Sequence, residues 1–272
     1  MKSLAISSGK GGVGKTIVTV NLGLALASMG KRVLLVDADL GLANIDILAG
    51  ISVRRSLADT VDGSASLLDV LVDVAPGLRL LPASSGVLKL ERLTVDHRLE
   101  IAGQLHWLSG LFDVMLFDTG AGLTENVLFF NSIADEALVV TTPEPTAMTD
   151  SYALIKVLAN HCHVPGISLL VNRSDSAAQG SETHRKLADV CRKFLNMSVA
   201  YAGTINKDRA VEHSVRERSP FVIGNRACAA SSGIFALASR FDQLFTAPCR
   251  ELITPSVVIA PRSVSARAAA AP

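Results

Sequence analysis

Aromatic side chains are scarce in this chain of 272 residues, at 4% with a single tryptophan, so its core must come from Ala, Val, Leu and Ile. Cysteine is equally thin. Cys162, Cys191, Cys228 and Cys249 lie far apart without a Cys-x-x-Cys pair, which argues against a disulfide framework or a zinc site and suits free thiols of a cytoplasmic protein. The stretch His161-Cys162-His163 holds ligand-type residues, but it reads as a helix end rather than a metal site. No apolar run approaches the roughly 18–20 residues that span a bilayer, and no basic segment with an apolar core opens the chain as a signal peptide would. Charge of one sign is missing too. A net charge of +1 gives no global pull towards nucleic acid or anionic lipid. What remains is 49% hydrophobic and long enough for one sizeable α/β domain, although length alone permits two.

The most informative stretch is Ser8-Gly9-Lys10-Gly11-Gly12-Val13-Gly14-Lys15-Thr16. It follows the apolar run Leu4-Ala5-Ile6 and precedes a helical period at Ile17, Val20, Leu24 and Ala27, with Gly30 placed to end the helix. Glycines there let backbone N–H groups turn towards phosphate oxygens. Lys15 can reach β- and γ-phosphates, Thr16 can hold Mg²⁺ through its hydroxyl, and the helix offers its N-terminus to the anion. Lys10 has no task in that ordinary scheme.

Further apolar runs alternate with amphipathic stretches. Buried strands are expected at 32–37, 78–81, 113–118, 137–142, 167–172 and 199–202, and helices around 96–109, 124–134, 148–161, 182–195 and 208–217. Short continuous apolar strands between helices predict an α/β fold with a mostly parallel central sheet covered on both faces, in three layers. Ligands of such sheets sit beyond the carboxyl ends of the strands. The polar residues that follow strands there are Asp37 and Asp39, Asp118 in Asp-Thr-Gly-Ala-Gly, and Glu144 between two prolines. One strand-terminal aspartate is often a helix cap, but three carboxylates beside a phosphate loop suit Mg²⁺ coordination.

The stretch 234–245 has apolar residues at helical spacing and a polar face poor in Lys and Arg, so it reads as a last helix on the sheet rather than a membrane-surface helix. Residues 1–245 are thus expected to form the domain. A Pro/Ala-rich tail at 246–272 is expected to be disordered.

Lys-Gly-Gly-Val-Gly-Lys-Thr at 10–16 resembles the deviant Walker A motif of the ParA/MinD class of P-loop ATPases. Residues 37–46, Asp-Ala-Asp-Leu-Gly-Leu-Ala-Asn-Ile-Asp, resemble its switch I, and residues 118–122 its switch II. The stretch 140–156 is similar to the FlhG/FleN (YlxH) regulators of flagellar number. The resemblance covers about residues 2–245. It implies a P-loop NTPase fold, ATP and Mg²⁺ as ligands, slow ATP hydrolysis, and a homodimer closed around two ATP molecules. Lys10 would then cross to the partner's nucleotide, where a cation supplied in trans offsets phosphoryl charge.

Roles carry over by position. Gly11, Gly12, Val13, Gly14, Lys15, Thr16 and Ile17 would cradle the nucleotide, and Asn172 would contact adenine, although a capping role suits it too. Glu144 would touch ribose or the partner's lysine. Thr16, Asp37, Asp39 and Asp118 would serve the metal and its waters, with Asp39 orienting the attacking water. Partners implied are flagellar proteins: an FlhF-like GTPase, or regulator or switch components. Three departures stand out. The family's N-terminal GTPase-activating segment has no counterpart before the first strand, and the tail is unlike a basic membrane-binding helix. Ile205-Asn206-Lys207-Asp208 replaces the usual Ile-Pro-x-Asp near adenine.

A cytoplasmic location follows, with the inner membrane face or cell pole as a peripheral address. Alternatives are a MinD-like cell-division-site ATPase, an iron–sulfur carrier, which the missing cysteine pair disfavours, and a ParA-like partition ATPase. Arg209, Arg216, Arg218 and Arg226 could give the last a basic strip, but Glu212 and Glu217 interrupt it, so no specific nucleic acid is expected.

Overall fold

The computed structural model describes residues 1–41, 43–83, 93–162 and 164–245. The expected tail at 246–272, Cys249, His163 and Leu42 of the switch-like stretch lie outside the described residues.

Strands β1 (Lys2–Ser8), β2 (Val33–Ala38), β3 (Val72–Ala75), β4 (Leu78–Leu81), β5 (Val114–Ala121), β6 (Glu136–Thr141), β7 (Ile167–Ser174) and β8 (Ala200–Asn206) form one sheet. Their order is β3-β4-β2-β5-β1-β6-β7-β8, and every neighbouring pair is parallel except β3 with β4. The helices are α1 (Lys15–Ser28), α2 (Ile45–Ala49), α3 (Leu57–Val61), α4 (Leu67–Val70), α5 (Val95–Leu108) and α6 (Glu125–Ser132). They continue with α7 (Pro145–Val157), α8 (Ala177–Leu195), α9 (Arg209–Arg216), α10 (Phe221–Gly224) and α11 (Ala229–Phe245).

The strand period of two explains the layers. On β2, Val33 and Leu35 join a core with α1 and α11, while Leu34 and Val36 point the other way into a core with α5 and α6. On β6 and β7, Ala137, Val139, Leu169 and Val171 pack with α7 and α8. All six β2 residues are buried, which is why the inner strands read as unbroken apolar runs. On α11, Ile234, Leu237, Ala238 and Phe241 are buried in the first core, so the last helix packs on the sheet as expected. No helix among the described residues is long and apolar enough to cross a membrane.

Several boundaries move. Helix α7 starts at 145 rather than 148 because Pro145 occupies its first position, and it runs on into a wide π turn at Leu158–Cys162. Helix α8 starts at 177 rather than 182, because the Ser176 hydroxyl accepts from Gln179 N and caps it. Helices α2–α4 and α10 and strand β3 were not expected from the pattern. Each has four or five residues, too few for a period to register, and α3 and α4 are instead fixed by Ser56/Asp59 and Ser66/Asp69 capping boxes.

Candidate functional site

The ends of β1, β2 and β5 lie side by side, and their register gathers the aspartates. Asp37 on β2 stands opposite Asp118 on β5, which also pairs with Ile6 on β1. The glycine-rich loop between β1 and α1 borders a cavity of about 900 Å³ at this edge. Residues Gly11 to Ile17 line it, as do Asp39, Leu40 and Gly41 after β2, and Gly120 and Ala121 of β5. Of the residues expected in the site, the loop set and Asp39 line the cavity. Lys10, Asp37, Asp118, Glu144 and Asn172 are not part of its wall.

The loop is held from two sides. Gly14 has φ of 92°, and a Cβ there would lie 2.5 Å from Asn172 Nδ2, so both backbone and space require glycine. That same Nδ2 donates to Val13 O at 2.8 Å, so Asn172 at the end of β7 braces the loop. At Gly9 a Cβ would stand 2.2 Å from Asp150 O on α7, so the first half of the loop lies flush on that helix. Helix α1 then begins with no side-chain cap and no acidic residue in its first turn. Its leading N–H groups are left to an anion in the cavity.

The two lysines differ. Lys15 Nζ donates to Asp118 Oδ1 at 2.8 Å, and the side chains are 8% and 2% exposed. Thr19 Oγ1 donates to the same oxygen at 3.0 Å. Lys10 Nζ instead donates to Glu144 Oε2 and Thr146 Oγ1, both at 3.0 Å, in a pair 39% and 62% exposed. Glu144 occupies the N-cap position of α7 just before Pro145 without a side-chain cap bond, and Lys10 holds its carboxyl below the ordinary value.

Asp37 is buried, and burial together with the Asp118 carboxylate pushes it up to about 8, so it carries a proton at neutral pH. It accepts from the backbone N–H groups of Asp39 at 3.2 Å and Asn44 at 3.2 Å, which shapes the segment after β2. Asp39 is thereby turned towards β5, where its Oδ1 lies 3.4 Å from where a Cβ on Gly120 would stand.

The donor set fits a hard cation. Thr16 and Asp39 line the cavity, and the buried Asp118 and Asp37 share one rung of the sheet at the same edge. Mg²⁺ takes one or two protein oxygens and completes its shell with phosphate and water. Among the described residues, no group of three or more His, Cys, Asp or Glu is gathered to hold a metal by itself.

Sequence reasoning missed Arg173 and Thr19. Arg173 is exposed, lines the cavity and has φ of 53°, a left-handed backbone next to Asn172. Its signal is its place at a strand end, one residue beyond Asn172. Thr19 lies one helical turn after Lys15, facing the same carboxylate, and that spacing was visible.

A family model described as the CobQ/CobB/MinD/ParA nucleotide binding domain matches residues 4–221. Antiactivator FleN of Pseudomonas aeruginosa is 38% identical over 239 residues, covering 88% of this chain and 85% of FleN. The flagellum site-determining protein YlxH of Helicobacter pylori is 33% identical over 218 residues, 80% of this chain and 74% of YlxH. Among solved structures, the septum site-determining protein MinD complexed with Mg-ADP from Pyrococcus horikoshii matches with a TM-score of 0.75 at 27% identity. That match covers 94% of this chain and 99% of the MinD chain.

Proposed function

The chain belongs to the CobQ/CobB/MinD/ParA nucleotide-binding family, and from that premise we propose a switch that dimerises on ATP and regulates flagellar number or placement through protein partners. It is an ATPase of that family, with ATP and Mg²⁺ as its ligands. The flagellar reading is supported by the likeness to FleN and YlxH. The observation that carries the switch is the split between the lysines: Lys15 lines the cavity, while Lys10 lies outside it on Glu144.

In this reading the backbone N–H groups from Gly12 to Lys15 cradle the phosphates. Lys15 exchanges Asp118 for the β- and γ-phosphates. Thr16 would ligate Mg²⁺ through its hydroxyl, and Asp118, Asp37 and Asp39 would hold the ion's water shell; when bound, Mg²⁺ supplies Lewis-acid neutralisation of phosphate charge. Asp39 orients the attacking water. Asn172 steadies the loop and, with Arg173, borders the base and ribose. Lys10 leaves Glu144 and Thr146 and reaches the nucleotide of a second copy, where its charge is opposed by phosphate rather than carboxylate. ATP-dependent pairing follows, because without triphosphate each Lys10 keeps its own carboxylate.

The test is to replace the chromosomal copy with Lys10→Ala or Asp39→Ala and count flagella per cell by electron microscopy. Lys10→Ala holds the switch open, whereas Asp39→Ala holds the ATP dimer closed, so the counts or positions should depart from the parent in opposite directions. Parental flagellation in both strains would overturn the reading.

A further inference from the structure

Helix α5 carries an apolar row that the nucleotide site does not use. Its inner face is accounted for by Ile101, Leu105 and Leu108, buried in the core that holds Met115 and Phe117 of β5. Its outer face carries an apolar row beside the exposed Asp96, Glu100 and His106. Val95, Leu99, Gly103 and Trp107 follow at four-residue spacing, and Leu111 continues the row in the turn beyond the helix. Val95 is 40% exposed, Leu99 50%, Trp107 60% and Leu111 44%. Single exposed apolar residues need no explanation, but a row along one helix face does. The chain's only tryptophan stands in it.

The row is self-complementary. When a second α5 is laid antiparallel about Gly103, Leu99 meets Trp107, and Val95 faces the turn that carries Leu111. Glu100 then meets His106, a carboxylate against an imidazole, and Asp96 meets Gly110. No like charges are brought together, since Arg98 is turned onto Glu125 of its own chain at 2.6 Å. Gly103 meets its own copy, and beyond its own helix backbone no heavy atom lies within 4 Å of where its Cβ would stand, so two backbones can approach closely there. Four-residue rows are the ridges of the commonest helix crossing, and a twofold contact requires that residue i meet j while j meets i.

We propose that this face is an interface between two copies of the chain, α5 against α5, about a twofold axis through Gly103. It uses the outer surface of one helical layer, whereas the cavity opens at the strand ends, so both contacts are open to one chain. It needs no nucleotide and does not rest on the switch proposed above. The four side chains cover on the order of 400 Å² per copy, about 800 Å² in a pair, against ~1,200–2,000 Å² for a stable interface. The contact is therefore weak between free chains. It strengthens wherever chains are already joined through another surface, because the second contact is then made at high effective concentration.

The experiment uses the full chain without nucleotide, from about 5 to about 500 µM, followed by sedimentation and by Trp107 fluorescence. The weight-average mass should climb towards twice the monomer's, and emission should move to shorter wavelength over the same range. Leu99→Glu should raise the midpoint concentration about tenfold or more. Glu100→Lys should weaken association, and Glu100→Lys combined with His106→Glu should restore it, which only the antiparallel register explains. Gly103→Cys under mild oxidation should give a covalent dimer that the parent, with its own cysteines, does not. A chain monomeric throughout, association indifferent to Leu99→Glu, or a charge swap no better than the single change would each overturn the proposal. Lys10→Ala should leave all these results unchanged, so failure of the ATP-dependent dimer and failure of this contact are read separately.

Discussion

Lys15 and Lys10 leave the same loop and end in opposite surroundings. Lys15 lies against Asp118 with both side chains under a tenth exposed, whereas Lys10 and Glu144 meet in solvent. A desolvated pair is fixed, because removing either partner strands a buried charge, so only another strong anion can replace the carboxylate. A pair in water is held loosely and exchanges readily. One loop therefore joins a buried lysine that only a phosphate can draw from its carboxylate to an exposed lysine whose contact is readily exchanged, a division of labour that suits a protein whose site changes composition during its cycle.

The largest effect that sharpens this contrast is expected for Lys15→Ala. ATP affinity in equilibrium titration should fall by about a hundredfold or more, as a charge-assisted phosphate contact is lost from a buried position. Lys10→Ala comes next. ATP affinity should stay within about threefold of the parent, while ATP-dependent dimerisation disappears and turnover drops by about 10²–10³-fold. A Lys10→Ala chain that hydrolyses ATP at the parental rate would remove the movable contact from the mechanism.

Stability separates the two pairs again. Asp118→Asn leaves Lys15 buried without its counter-charge and should cost about 3 kcal/mol in urea unfolding of the nucleotide-free protein. Glu144→Gln should leave the thermal midpoint within about 1 °C. Equal losses would break the comparison.

A separate effect, set by pH rather than by a lost contact, concerns Asp37, held at about 8 by burial and Asp118. Its unfolded value is about 3.9, so between roughly pH 4 and pH 8 the folded state keeps a proton that the unfolded state releases. This group's contribution to stability therefore falls as pH rises through that window. Asp37→Asn should gain on the parent progressively from about pH 5 to about pH 8 in melting experiments without nucleotide, and a constant difference would contradict the assigned protonation.

Much of this was legible in the sequence because the signals were strong and local. Gly-x4-Gly-Lys-Thr after an apolar run fixed the loop, and continuous runs such as Val33 to Val36 marked strands covered on both faces. Aspartates at strand ends pointed to the edge where the cavity lies. What escaped depends on contacts distant in sequence or on backbone shape. Beside the base contact or cap that its place after a strand suggests, Asn172 braces Val13 O, 159 residues away, through its amide. The in-chain partnership of Lys10 with Glu144 and Thr146 follows from the juxtaposition of β1 and β6, which no period encodes. Arg173 enters the site through a positive φ that its residue type does not announce. The outer face of α5 escapes a periodicity argument because Ile101, Leu105 and Leu108 alone suffice to make it a helix against the sheet.

Gly9 has a consequence for mutational studies. A Cβ there would stand 2.2 Å from the carbonyl oxygen of Asp150, so any side chain at position 9 must force the loop and α7 apart. In a random screen for loss of function, lesions at this codon would imitate those at Lys15, although Gly9 carries no chemistry. Suppressors should then arise along α7, at residues that never meet the nucleotide.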